Sequence, residues 1–162
     1  MDALEHYFEL TGEAAVTLMG LLFVVITLAV ERGGRDDKWL AGMFLTPTLF
    51  HLGMVFMIAL LALSPEGDGL IPPFGLAGVL GLAYSASVAR KVARSGETLD
   101  ARVFHGGIPV VCYMGIIAAA WLGMSSTSPA YLILRTVSAL LLLVAMRNAW
   151  AVAMDVARRK RN

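Results

Sequence analysis

A single cysteine, Cys112, stands in 162 residues, so the chain carries neither an internal disulfide framework nor a Cys-x-x-Cys metal site. Charge is scarce as well. Asp, Glu, Lys and Arg make up 15% of the sequence and nearly cancel, to a formal net charge of +1, which excludes the basic surface that a nucleic-acid-binding domain requires. No connecting segment is long enough to hold a separate soluble domain, and no internal repeat is visible. Apolar residues fill the sequence instead: 58% of it is hydrophobic, with a mean hydropathy of +0.73, more than one water-soluble core can hide. This is the composition of a membrane protein, and secreted mini-proteins and soluble enzymes are excluded with it.

A helix needs ~20 largely apolar residues to cross ~30 Å of hydrocarbon. Five stretches qualify: Ala14 to Val30, Leu40 to Leu63, Leu70 to Val88, Val103 to Leu122 and Ala130 to Trp150. The sequence therefore predicts an all-α, polytopic five-helix bundle forming one integral domain over 1–162. The loops test the count independently. Arg32, Arg35 and Lys38 follow the first span, Arg90, Lys91, Arg94 and Arg102 follow the third, and Arg158, Arg159, Lys160 and Arg161 end the chain; the alternate segments carry no base. Under the positive-inside rule this places the N-terminus outside and the C-terminus in the cytoplasm. The first span is not a cleavable signal, because its N-terminal flank is acidic and its apolar run too long. Upstream of it, polar residues alternate with Leu4, Tyr7, Phe8 and Leu10 as an amphipathic lead-in, continuous with the span or lying beside it. Ser128 and Pro129 provide an N-cap and a first-turn proline for the fifth span.

Ionisable residues deep in a span are costly, and His51 sits near the middle of the second, about 16 Å from its cytoplasmic end at ~1.5 Å per residue. Thr48 shares its face one turn away. Pro47 removes a backbone donor and Thr46 and Thr48 can back-bond to the preceding turn, so the Thr46-Pro47-Thr48 cluster is expected to bend the helix. His51 either lines a pathway or is a neutral imidazole bonded to a neighbouring helix. His105 lies only about 3 Å beyond the start of the fourth span, so the two histidines differ by ~13 Å in depth. One haem iron cannot be reached from both within a subunit; no cofactor is expected, and His105 reads as an interfacial residue at a helix start. Cys112 reads as a small buried hydrophobe, and no catalytic constellation is present.

Ala77, Gly81 and Ser85 form a small-residue ridge on the third span, and Ala145, Ala149 and Ala153 another on the fifth; such ridges pack helices within a bundle or between subunits. In the fifth span Arg135, one turn from Ser138, either pairs with Glu13, which lies at a compatible depth, or snorkels to the surface without a partner. Asp155 pairs most simply with Arg158 or Arg159. Asp2, Glu5, Glu9, Glu13, Glu66 and Asp68 make the outer surface acidic. Glu9 and Glu13 would form an acidic ring in an oligomer, and His6 with Asp2 and Glu9 would hold a divalent ion only weakly. The basic inner loops should meet anionic lipid headgroups.

The stretch Gly12 to Glu31, GEAAVTLMGLLFVVITLAVE, resembles the first span of a loose group of uncharacterised small bacterial inner-membrane proteins, some of which are labelled modulators of a membrane protease. The resemblance implies a bacterial inner-membrane location and no catalytic residue. Length and span count are also similar to those of the tryptophan-rich sensory proteins, but with only Trp39, Trp121 and Trp150 the chain lacks that family's paired tryptophans beside its proline motif.

These residues point to a homo-oligomeric membrane protein, not an enzyme, that forms or gates a path for a proton or small cation past His51, Thr48 and Thr46. The alternative is a non-catalytic accessory subunit with a membrane-protein partner. The topology has its own test: cysteine placed at Ser126 should react with an impermeant reagent from outside, and cysteine at Ser95 from the cytoplasm. Reaction of both from one side would contradict five spans.

Overall fold

A computed structural model describes residues 3–31, 46–64, 71–94 and 99–159. Its elements are α1 (Ala3–Glu31), α2 (Thr46–Ala62), α3 (Ile71–Arg94), the single turn α4 (Leu99–Arg102), a π-helical turn at Val103–Gly107, α5 (Ile108–Gly123) and α6 (Thr127–Arg159). No strand occurs among the described residues. Helices follow directly from the composition, because a chain surrounded by hydrocarbon must satisfy its backbone groups internally. Among the described residues four stretches are long and apolar enough to cross a membrane, Ala3–Val25, Pro72–Arg94, Val103–Gly123 and Thr127–Ala151, and Pro47–Ala62 is a shorter apolar helix. The chain is an all-helical, multi-pass membrane protein.

The expected boundaries shift in two places, at the end of α3 and the start of α6. The amphipathic lead-in and the first span are one continuous helix, since nothing in the sequence breaks it and Thr11 returns its hydroxyl to the carbonyls of Tyr7 (3.0 Å) and Phe8 (3.1 Å). α3 runs on to Arg94, and α6 begins at Thr127, with Ser128 and Pro129 in its first turn. Leu40 to Leu45 of the second span, Ser95, Asp2, Glu66, Asp68 and the bases at Arg32, Arg35 and Lys38 lie outside the described residues, as do the turn before Pro47, where a bend was expected, and the Asp155 pairing.

Glycines set the register. α3 and α5 run antiparallel and close: a Cβ on Gly75 would meet Ala120 at 3.7 Å, one on Gly78 would meet Ile117 at 2.7 Å, one on Gly81 would overlap the Tyr113 ring, and one on Gly106 would meet Ala89 at 2.9 Å. Gly115 brings α5 against Val137 of α6 at 3.0 Å, and Gly12 brings α1 against Ala59 of α2 at 3.0 Å. Two helix pairs, α1 with α2 and α3 with α5, thus face α6, which touches α1, α2 and α5. The ridge of Ala77, Gly81 and Ser85 is buried within this bundle. Leu21, Phe23, Val24, Leu76, Leu80, Val111, Leu132 and Leu143 remain exposed around it, which is the outward apolar coat of a helix bundle in lipid rather than in water.

The pairings also define two ends. Glu5 and Glu9 lie at the end where α1 and α6 begin; Arg90, Lys91, Arg94 and Arg102 lie at the other. Because a methyl on Gly81 must displace a buried ring, Gly81→Ala should destabilise the folded protein in detergent by about 1–3 kcal/mol. Gly20→Ala, with nothing within 4 Å, should stay within about 1 kcal/mol of wild type. Equal effects at both positions would contradict the α3–α5 packing.

Candidate functional site

α2 is apolar around its circumference except at its start, so its one ionisable residue must be matched by another helix. His51 is 1% exposed, and its Nδ1 lies 2.9 Å from the Oη of Tyr113 on α5. Tyr113 is the largest fully buried side chain. It lies ten residues from either end of the apolar stretch Val103–Gly123, or ~15 Å each way, which puts the pair at mid-depth. Its ring occupies the gap left by Gly81 of α3. Phe50 packs against Tyr84 with ring centroids 4.0 Å apart and approaches Tyr113 at 6.2 Å, so the rings of Phe50 and Tyr113 flank the imidazole and Tyr84 backs Phe50. The hydrogen bond runs either way: Tyr113 donates to an unprotonated Nδ1, or a protonated Nδ1 donates to the Tyr113 oxygen.

Further buried polar groups accompany the pair. Thr48 is fully buried one turn from His51, while the side chain of Thr46 lies outside the described residues. His105 lies at the start of the fourth apolar stretch, in the π-helical turn, and its side chain is buried at 6% exposure rather than open to solvent. Ser85 and Ser138 are buried with their hydroxyls unpartnered among the described residues, and Asn148 is fully buried with both amide atoms in the same condition. Asn148 escaped the sequence reading because it sits beside Arg147 near a charged tail. Its signal is its spacing, three residues beyond the buried Ala145 and ten beyond Ser138, which is one helix face.

These groups occupy one half of the bundle. Ser138 follows the Val137 that faces Gly115, and so lies level with Tyr113; Ser85, one turn beyond Gly81, is closer to the basic end; His105 precedes the Gly106 that meets Ala89; and Asn148 follows Arg147, whose guanidinium lies 3.8 Å from the Phe104 ring centroid and 3.9 Å from Asp100. The half toward the acidic end is closed by Val55, Ile58 and Ala59 of α2, Phe74 and Ala77 of α3, Ile116, Ala119 and Ala120 of α5 and Ala130 and Leu134 of α6. Thr11 is the polar residue buried there, and it is satisfied by its own helix.

Arg135 does not find Glu13. Its guanidinium lies 4.9 Å from the centroid of the Tyr7 ring, whose hydroxyl donates to the Arg135 carbonyl oxygen at 2.7 Å, because α1 starts early enough to lay Tyr7 beside it. With Leu4, Ser128 and Tyr131 it lines an open groove of about 690 Å³. Glu9 meets His6 at 3.7 Å and Glu13 is exposed; no group of three metal-ligating side chains occurs among the described residues. Cys112 is buried next to Tyr113 in sequence. No protein-family model, curated protein or solved structure matches the chain.

Removing the Tyr113 hydroxyl takes away the protein partner of His51 Nδ1. Tyr113→Phe should lower stability in bilayer or detergent by about 1 kcal/mol, and His51→Leu combined with Tyr113→Phe should recover part of that loss. Strict additivity of the two single changes would show that the residues do not interact.

Proposed function

We propose that this chain is a bacterial inner-membrane protein that conducts or gates protons across the bilayer through its own bundle, with His51 and Tyr113 as the exchanging pair at mid-depth. The observation that carries this reading is the buried hydrogen bond between an imidazole and a phenol, two groups that both give and accept protons. A neutral imidazole with its proton on Nε2 accepts from Tyr113 at Nδ1. Taking up a second proton makes it a donor at both nitrogens, and the Tyr113 oxygen then accepts; the bond reverses direction with each proton gained or lost.

The packing favours protons over larger ions. Val55, Ile58 and Ile116, between the pair and the acidic end, are fully buried, which leaves no bore for a hydrated cation, whereas a proton crosses this section along a chain of hydrogen bonds formed when it opens. Orientation follows the charges, with the acidic end outside and the basic end toward the cytoplasm and its anionic lipids. The ridge of Ala77, Gly81 and Ser85 serves contacts inside the protomer, so the pathway is one per chain even where copies associate.

Purified protein in vesicles with an imposed pH gradient and a pH-sensitive dye provides the test. Wild type should carry protons well above empty vesicles, and His51→Ala and Tyr113→Phe should each reduce that flux about tenfold or more. Wild-type flux no greater than that of lipid alone, or unchanged flux in both variants, would overturn the proposal.

A further inference from the structure

We infer that water reaches the His51–Tyr113 pair from the basic end alone: Asn148, Ser85 and Ser138 line a hydrated entry, and the apolar residues beyond the pair are a dry section that a proton crosses only when it opens. The inference rests on the proton-pathway reading for its purpose, but its physical basis is separate. Asn148 presents two donors and an acceptor, is fully buried, and has neither amide atom satisfied among the described residues; the Ser85 and Ser138 hydroxyls share that state. Buried polar groups are almost always paired, and where protein supplies no partner, polar interiors are bridged by internal water making two to four hydrogen bonds. Three such residues on α3 and α6 give several unsatisfied atoms, and all lie between mid-depth and the basic end.

Thr48, His51 and His105 are buried in the same half and extend its polar lining to α2 and the π-helical turn. At the mouth stand Asp100 and Arg147, 3.9 Å apart and both partly or largely exposed, a solvated ion pair beside Asn148 in the chain. Toward the acidic end the lining changes character. From Val55 to Ala59 on α2, from Phe74 to Ala77 on α3 and from Ile116 to Ala120 on α5 the buried side chains are aliphatic or aromatic, and an apolar cavity of that kind stays dry. Polar on one side of a protonatable pair and dry on the other, the interior is a half-channel.

Silver ion, which travels in water and captures thiols, tests this without measuring flux. In a Cys112→Ala background, single cysteines at Ser85, Ser138 and Asn148 are compared with cysteines at Ala59 and Ala120, in sealed membrane vesicles of each orientation. Ser126→Cys marks the acidic side. Thiols left unreacted are alkylated after denaturation and counted by mass spectrometry. Ser85→Cys and Asn148→Cys should react at least tenfold faster from the side opposite Ser126→Cys, with Ala59→Cys and Ala120→Cys unreactive from both sides. Equal rates at Ser85→Cys and Ala120→Cys, or no reaction at Ser85→Cys from either side, would overturn the half-channel. Should Asn148→Cys fail to fold, Ser85→Cys, a change of one atom, decides alone. One-sided labelling in a protein that carries no protons would support the hydrated entry and remove only its proton role.

Discussion

A polar side chain inside a bilayer has no bulk solvent around it, and one hydrogen bond, 2.9 Å between His51 and Tyr113, answers that constraint at the centre of this bundle. The rest of the packing is arranged around it. Gly81 on α3 has no side chain because the Tyr113 ring occupies that space; Tyr113 projects from α5 to reach α2; and the bond ties the α1–α2 pair to the α3–α5 pair. An average interhelical hydrogen bond in a membrane is worth only about 0.6 kcal/mol. The unpaired imidazole that would replace it costs about 1–3 kcal/mol, so the bond's main effect is to make one arrangement of the helices much better than its neighbours.

The interior is divided by that pair. Among the described residues, the buried side chains on one side are apolar or satisfied by their own helix; on the other, serine, threonine, histidine and asparagine side chains are buried at successive levels toward the basic end. A protein selected for packing alone has no use for a fully buried amide such as Asn148, whose two polar atoms find no partner among the described residues, because an aliphatic residue of similar volume would remove the penalty. The asymmetry is therefore the feature that most constrains function, and it belongs to a single chain rather than to an assembly.

Much of this was legible in the sequence because the bilayer imposes a simple code. Long uncharged runs fixed the helix class, and a histidine within one marked His51 as the residue to follow. The small residues of α3 were legible as a packing ridge, but not their partner, since Gly81 does not say whether it faces an aromatic ring of the same chain or a second copy. Tyr113 was invisible as a site residue because tyrosine in an apolar helix is ordinary until a partner is known. Asn148 was missed for the opposite reason: in a charged neighbourhood an amide draws no notice, and only its helical phase with Ser138 and Ala145 reveals that it points inward. The pairing of Arg135 with Glu13 failed because charge was matched to charge, whereas the early start of α1 sets Tyr7 beside the guanidinium.

The imidazole–phenol bond itself is the point on which the functional reading turns, and nitrogen NMR of histidine-labelled protein in bilayers observes it directly. His51 Nδ1 should resonate as a hydrogen-bonded nitrogen in wild type and shift in Tyr113→Phe, with His6 and His105 unmoved. An identical His51 signal in the two proteins would mean that the bond does not exist in the membrane, and with it would go the pair proposed to carry the proton.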